Sequence, residues 1–162
     1  MSDGITDMYK EIKVKNLIIF CAIEEEIDFS ILNPEIKIHF TGIGKVNAAI
    51  KSYSKLFYNK DSFVLNVGTA GATSFNKMGD IVKCSSFIQR DCQIPGFSNP
   101  QHDFNIQNFD GICNSGDIFC NSGDILNKSN IPIVFDMEAY AIAAVCKHLV
   151  IEEFGAIKIV SD

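Results

Sequence analysis

The sequence predicts an α/β fold: a single domain built on a central mixed, twisted β-sheet flanked by helices. Three observations carry this. Two apolar runs, Asn16-Leu-Ile-Ile-Phe-Cys-Ala-Ile23 and Ser62-Phe-Val-Leu-Asn-Val67, are continuous and too short for helices, which suits strands buried on both faces. Ile36-Lys-Ile-His-Phe-Thr-Gly-Ile43 alternates, as a strand with one wetter face does. The second half of the chain then reads strand, helix, strand, and a strand-rich start followed by a βαβ unit favours α/β over all-α or all-β.

In order, residues 1–14 form a polar lead-in, and the first apolar run ends at Glu24, Glu25 and Glu26. After the alternating strand, Val46 to Phe57 carries Ala48, Ala49, Ile50, Tyr53, Leu56 and Phe57 at helical spacing. The run from Ser62 ends in Gly68-Thr-Ala-Gly71-Ala, a strand tip of small residues that admits close backbone approach. Met78 to Gln89 reads as another strand, opened by a Gly-Asp turn. Residues 90–110, with Pro95, Gly96, Pro100 and several Asn and Gln, read as a mobile loop. Gly111 to Phe119 is a strand, 121–130 a short helix or turn, Ile131 to Phe135 a buried strand, Glu138 to His148 a helix, and Ala156 to Val160 a last buried strand before Ser161-Asp162.

Composition narrows the function. With 162 residues and 47% hydrophobic content the chain supports one substantial core. A net charge of −6 offers no basic stripe for nucleic acid and no polybasic membrane patch. No apolar run approaches the roughly 20 residues of a membrane span, and the start lacks the order of a secretory signal, so a cytoplasmic protein is expected. The six cysteines stand singly, mostly in apolar elements, and read as reduced buried thiols. No CxxC or close His pair occurs and His39, His102 and His148 are far apart, so no dedicated metal site is expected. Gly42-Ile-Gly44-Lys-Val-Asn47 lacks the third glycine of a dinucleotide fingerprint and reads as a tight strand-to-helix turn.

Acidic residues at strand ends are more informative. Singly, Glu26 and Glu138 are consistent with solvated helix starts, where acids suit the dipole. Together, Glu26, the Thr69 tip, Phe119, Met137-Glu138 and Ser161-Asp162 would gather along one sheet edge. Carboxylates, an aromatic face, a thioether and small-residue backbone suit a nucleoside.

Seven motifs sharpen this: Ala22-Ile-Glu-Glu-Glu26-Ile, Gly42-Ile-Gly-Lys-Val-Asn-Ala-Ala49, Asn66-Val-Gly-Thr-Ala-Gly71, Gly79-Asp-Ile-Val82, Ser115-Gly-Asp-Ile-Phe119, Asp136-Met-Glu-Ala139 and Val160-Ser-Asp162. In that order they resemble the purine nucleoside phosphorylase and nucleosidase superfamily, closest to the 5′-methylthioadenosine/S-adenosylhomocysteine nucleosidases. The resemblance implies cleavage of an N-glycosidic bond, without metal or organic cofactor, through an oxocarbenium-like transition state. It implies Asp162 as the acid at purine N7 with Ser161 orienting it, Glu138 as the clamp on the ribose hydroxyls, and Glu26 as the base for water. Met137 would pack beneath the sugar, Phe119 would stack on the base, the Cys120 backbone would read the adenine edge, and Thr69 would line the pocket.

Family phosphorylases hold phosphate with arginines, one after the first strand and one before the Gly-Ser/Thr tip. This chain has glutamates and Asn66 there, which implies hydrolysis. A phosphorylase using Arg90, the chain's only arginine, and a non-catalytic purine-binding relative remain the alternatives. Relatives continue past the Ser-Asp motif into a helix, whereas this chain ends at Asp162, so a C-terminally short version of the fold is expected. Lys158 stands where the nucleosidases often carry arginine, and the stretch from Gln89 to Phe97 departs from their pattern. Family dimers lend a loop to the neighbour's 5′ pocket, which makes a homodimer the expectation, with Ile94, Pro95 and Phe97 as contributors.

Overall fold

The computed structural model describes residues 16–28, 30, 33–73, 76–118 and 130–161. Among these residues eight strands form one mixed sheet: β1 (Asn16–Cys21), β2 (Ile38–Phe40), β3 (Ser62–Ala72), β4 (Ile81–Gln89), β5 (Gln101–Asp103), β6 (Gly111–Ser115), β7 (Ile133–Asp136) and β8 (Phe154–Val160). The α-helices of the described residues, α1 (Lys45–Leu56) and α2 (Ala139–His148), pack on each other, and α2 also lies against β4, β5, β6 and β8.

The sheet is more closed than a twisted open one. β3 pairs with β8, β8 with β4, β4 with β6, β6 with β7, and β7 returns to β3, so five strands complete a ring. β2 and β1 extend the sheet outward from β3, while β5 extends it from β4. Phe87 and Phe154, both fully buried, meet at 4.7 Å between ring centroids, and Phe104 closes on each of them. Gly155 is tied to this packing, because a Cβ there would lie 2.7 Å from the Phe109 ring.

The small-residue stretch 68–72 is the tip of β3, as expected: the strand runs to Ala72, since β8 supplies partners on one edge up to Ala70 and β7 takes Gly71 and Ala72 on the other. Residues 90–110, read as a loop, contain β5, which pairs antiparallel with Ser86 to Ile88. Its side chains alternate only over three residues, too few for a periodic signal. The expected strand at Gly111 ends at Ser115, and the expected element over 121–130 lies, apart from Asn130, outside the described residues.

Candidate active site

β3 creates the site by leaving part of one edge without a strand. Its pairing with β1 runs out at Asn66, and its pairing with β7 starts at Gly71. The carboxyl ends of β1 and β7 both point into that gap. A backbone N–H exposed there needs an acceptor that is not a strand. The Thr69 N–H donates to Glu26 Oε1 at 2.9 Å, and the Thr69 hydroxyl to the same oxygen at 2.6 Å. Glu26 arrives on a single 3-10 turn, Glu24–Glu26, directly after β1. Gly68 leaves it room, because a Cβ at that position would sit 3.0 Å from Glu26 Oε2.

Burial alone would raise the Glu26 pKa, but the Thr69 hydroxyl and N–H outweigh it, and with help from Cys21 and Lys158 hold the carboxyl below its usual value. Glu26 is therefore ionised at neutral pH. Among the described residues Oε2 accepts only the weak Cys21 thiol, at 3.3 Å, which leaves it capacity for another donor. The same burial beside Glu26 pushes the Cys21 thiol up to about 12, so it stays protonated.

Glu138 reaches the gap from the other side. It occupies the N-cap position of α2 without capping it. Its neighbours take that role: Asp136 Oδ2 accepts the Ala139 N–H at 2.9 Å and Ser115 Oγ accepts the Tyr140 N–H at 2.8 Å. Relieved of capping, the Glu138 carboxylate accepts the Gly44 N–H at 2.8 Å, at the N-terminus of α1. Gly44 and Gly42, at φ of 92° and 79°, form the tight turn expected from the glycine motif. Burial and the nearby Asp136 charge raise the Glu138 pKa to about 7.

Beneath both carboxylates lies a buried ion pair, Lys158 Nζ to Asp136 Oδ2 at 2.8 Å, with side chains 2% and 1% exposed. Asp136 Oδ1 also accepts the Ser115 hydroxyl. Burial disfavours the Lys158 ammonium, but Asp136 more than restores it, and its pKa rises. Asp136 is likewise held low by Lys158 against its burial.

These groups line one cleft of about 180 Å³. Glu26, Thr69, Met137, Glu138 and Ser161, five of the residues expected from the sequence, are all on its wall, together with Asp136, Arg90, Ile43 and Ile118. The Ser161 N–H donates to the Ala70 carbonyl at 3.0 Å, which fixes the end of β8 over β3. Phe119, Cys120 and Asp162 lie outside the described residues. Ile94, Pro95 and Phe97 line a different, shallow groove, with Ile94 and Phe97 exposed.

Sequence reasoning passed over Asp136, Ser115 and Gly44 as functional groups. One signal was available: Lys158 is the only charge inside the apolar run from Ala156 to Val160, and a charge buried in a strand requires a partner. Which carboxylate would serve was not readable, because Asp136 is 22 residues away and meets Lys158 only through the ring of strands.

No protein-family model matches the chain. Solved structures do match its fold. The 5′-methylthioadenosine/S-adenosylhomocysteine nucleosidase of Neisseria meningitidis, solved with methylthio-immucillin-A, superposes with a TM-score of 0.73 at 22% identity, covering 91% of this chain and 86% of that one. The corresponding enzyme of Colwellia psychrerythraea 34H, solved with adenine, gives 0.70 at 22% identity over 93% and 83%. Futalosine hydrolase of Helicobacter pylori strain 26695 gives 0.71 at 20% identity over 92% and 85%. The fold of this chain is thus the nucleosidase fold, as the motif order implied.

Proposed function

We propose that this protein hydrolyses the N-glycosidic bond of an adenine nucleoside, with methylthioadenosine or S-adenosylhomocysteine as the substrate class. The observation that carries the reading is the meeting of an ionised Glu26 and a near-neutral Glu138 in one small cleft. Water held by Glu26 Oε2 attacks C1′ of the ribose and passes its proton to that carboxylate. The C1′–N9 electron pair leaves with the base, which Asp162 protonates at N7, so that neutral adenine departs. Ser161 orients Asp162, Phe119 stacks on the base, and the Cys120 backbone reads its edge. Glu138 holds the ribose diol, with Met137 beneath the sugar, and its negative form stabilises the charge developing on the ring.

The hydrolytic form of the reaction is supported by Asn66. It stands where family phosphorylases carry an arginine, yet it is buried, with its amide on the Phe20 carbonyl at 3.3 Å and away from the cleft wall. The experiment is adenine release from methylthioadenosine in phosphate-free buffer, with Glu26→Gln and Asp162→Asn alongside. Turnover without phosphate, reduced roughly 10²-fold or more in each variant, is expected. Strict phosphate dependence would make the protein a phosphorylase, and adenine binding without turnover would make it a purine-binding relative.

The reading includes a cytoplasmic homodimer acting in methionine salvage. Among the described residues no helix is long and apolar enough to cross a membrane. Dimerisation is supported by α1, whose inner face buries Ala48, Ser52 and Leu56 while Val46, Ile50, Tyr53 and Phe57 stay exposed. Spacings of four, three and four residues put those side chains in one apolar stripe, a surface that suits a second copy. Sedimentation should show a dimer that Ile50→Glu dissociates, and a monomeric wild type at micromolar concentration would remove this part of the reading.

A further inference from the structure

We propose that Arg90 forms an oxyanion subsite at the mouth of the cleft, which takes an anionic group, carboxylate or phosphate, carried by the nucleoside or bound beside it. The inference rests on the nucleoside reading only for what occupies the rest of the cleft. Its own basis is an arginine whose charge has no counter-ion among the described residues. Among the described residues the ion pairs are Lys45 with Asp91 and Asp117, and Lys158 with Asp136, and none involves Arg90. Asp91, next in sequence, is occupied on both oxygens, by Lys45 and by the Asp117 N–H. Glu26 and Glu138 share the cleft, but neither is among the ion pairs or hydrogen-bond partners of Arg90 in the described residues.

The guanidinium is nevertheless firmly held. Its Nη2 donates to the carbonyls of Gly116 and Ile118, and the side chain lies close against Gly116, where a Cβ would come within 2.8 Å of Cζ. Nε is buried, and among the described residues it has no acceptor. A fixed, half-buried guanidinium with donors left over costs stability unless something anionic completes it. Ile43 and Ile118, both on the cleft wall and both largely exposed, flank the entrance beside it. Apolar walls leading to a cation suit a 5′ substituent with an aliphatic or thioether stem ending in a carboxylate. Inorganic phosphate offers the same chemistry from solution.

Calorimetry on the full chain separates the sources. The probes are 5′-S-(3-carboxypropyl)-5′-thioadenosine, its primary amide, and inorganic phosphate alone, each tested against wild type, Arg90→Gln and Arg90→Lys. Wild type is expected to bind the carboxylate roughly tenfold more tightly than the amide, with that ratio lost in Arg90→Gln and partly kept in Arg90→Lys. Phosphate binding that Arg90→Gln abolishes would also support the subsite, and if base release then required phosphate it would overturn the hydrolytic reading while leaving the subsite intact. Equal affinity for carboxylate and amide with no phosphate binding by wild type overturns the subsite, whether or not the variants fold. A carboxylate preference unchanged in Arg90→Gln overturns its assignment to Arg90. If neither nucleoside binds but phosphate does, the nucleoside reading fails and the anion site stands.

Discussion

Glu138→Gln is expected to abolish base release while making the protein more stable at pH 8. The loss of activity, on the order of 10²–10⁴-fold in kcat, follows from removing a charge that strengthens its hold on the substrate only as the ribosyl cation forms. The gain in stability follows from the raised pKa, about 7 against an ordinary 4.5. Below pH 4.5 the group is protonated in folded and unfolded chains alike and contributes no pH dependence. Between 4.5 and 7 the folded chain keeps a proton that the unfolded chain has released, so wild-type stability falls as pH rises, and above 7 the full penalty stands. That penalty is about 3 kcal/mol, as the side chain is well buried. Glutamine cannot ionise and still offers an oxygen to the Gly44 N–H. Urea unfolding of both proteins at pH 5 and pH 8 should show the advantage of the variant growing with pH, and a difference independent of pH would remove the argument.

Lys158→Met should have the opposite character, a loss of about 3–5 kcal/mol at neutral pH, because it leaves the buried Asp136 carboxylate without its cation. Exposure decides the size of this effect. Lys45 and Asp91 make the same kind of contact, but their side chains are 15% and 18% exposed, against 2% and 1% for Lys158 and Asp136. Water can reach the first pair when it is broken and cannot reach the second. The damage should also spread to the site. An unpaired Asp136 is driven to protonate, and as a neutral acid it is a poorer acceptor for the Ala139 N–H that starts α2 and sets the position of Glu138. Adding Asp136→Asn should recover part of the stability, giving a coupling above about 1 kcal/mol in the double-mutant cycle. A single-variant cost below about 1 kcal/mol would show that the pair does not matter.

Much of the architecture was readable because its signals are local. The apolar run from Asn16 reads as a strand buried on both faces, and in β1 the successive residues Ile18 to Cys21 are indeed all buried. The helix read over Val46 to Phe57 is α1 within a residue at each end, since helical periodicity repeats over three turns. β5 escaped because three residues carry no period, and its existence depends on β4 lying beside it. The small-residue end of β3 was readable from its continuity with the apolar run before it, although glycine and alanine have little strand preference of their own and it is β7 and β8 that hold them in the sheet.

The site divides along the same line. By itself the sequence determined which residue types end the strands, so Glu26, Thr69, Met137, Glu138 and Ser161 were identifiable as cleft residues from motif order and strand-end position. Their chemistry was decided by the tertiary structure. Glu26 and Glu138 are the same side chain at similar local positions, each just after a buried strand, yet one is held ionised and the other near neutral. The difference comes from Thr69, 43 residues from Glu26, which donates two hydrogen bonds, and from Asp136, whose charge faces Glu138 once the strand ring has buried both. Local sequence sets what a residue can become, but desolvation and the dipoles that face it are fixed only when distant strands close, and those set its protonation.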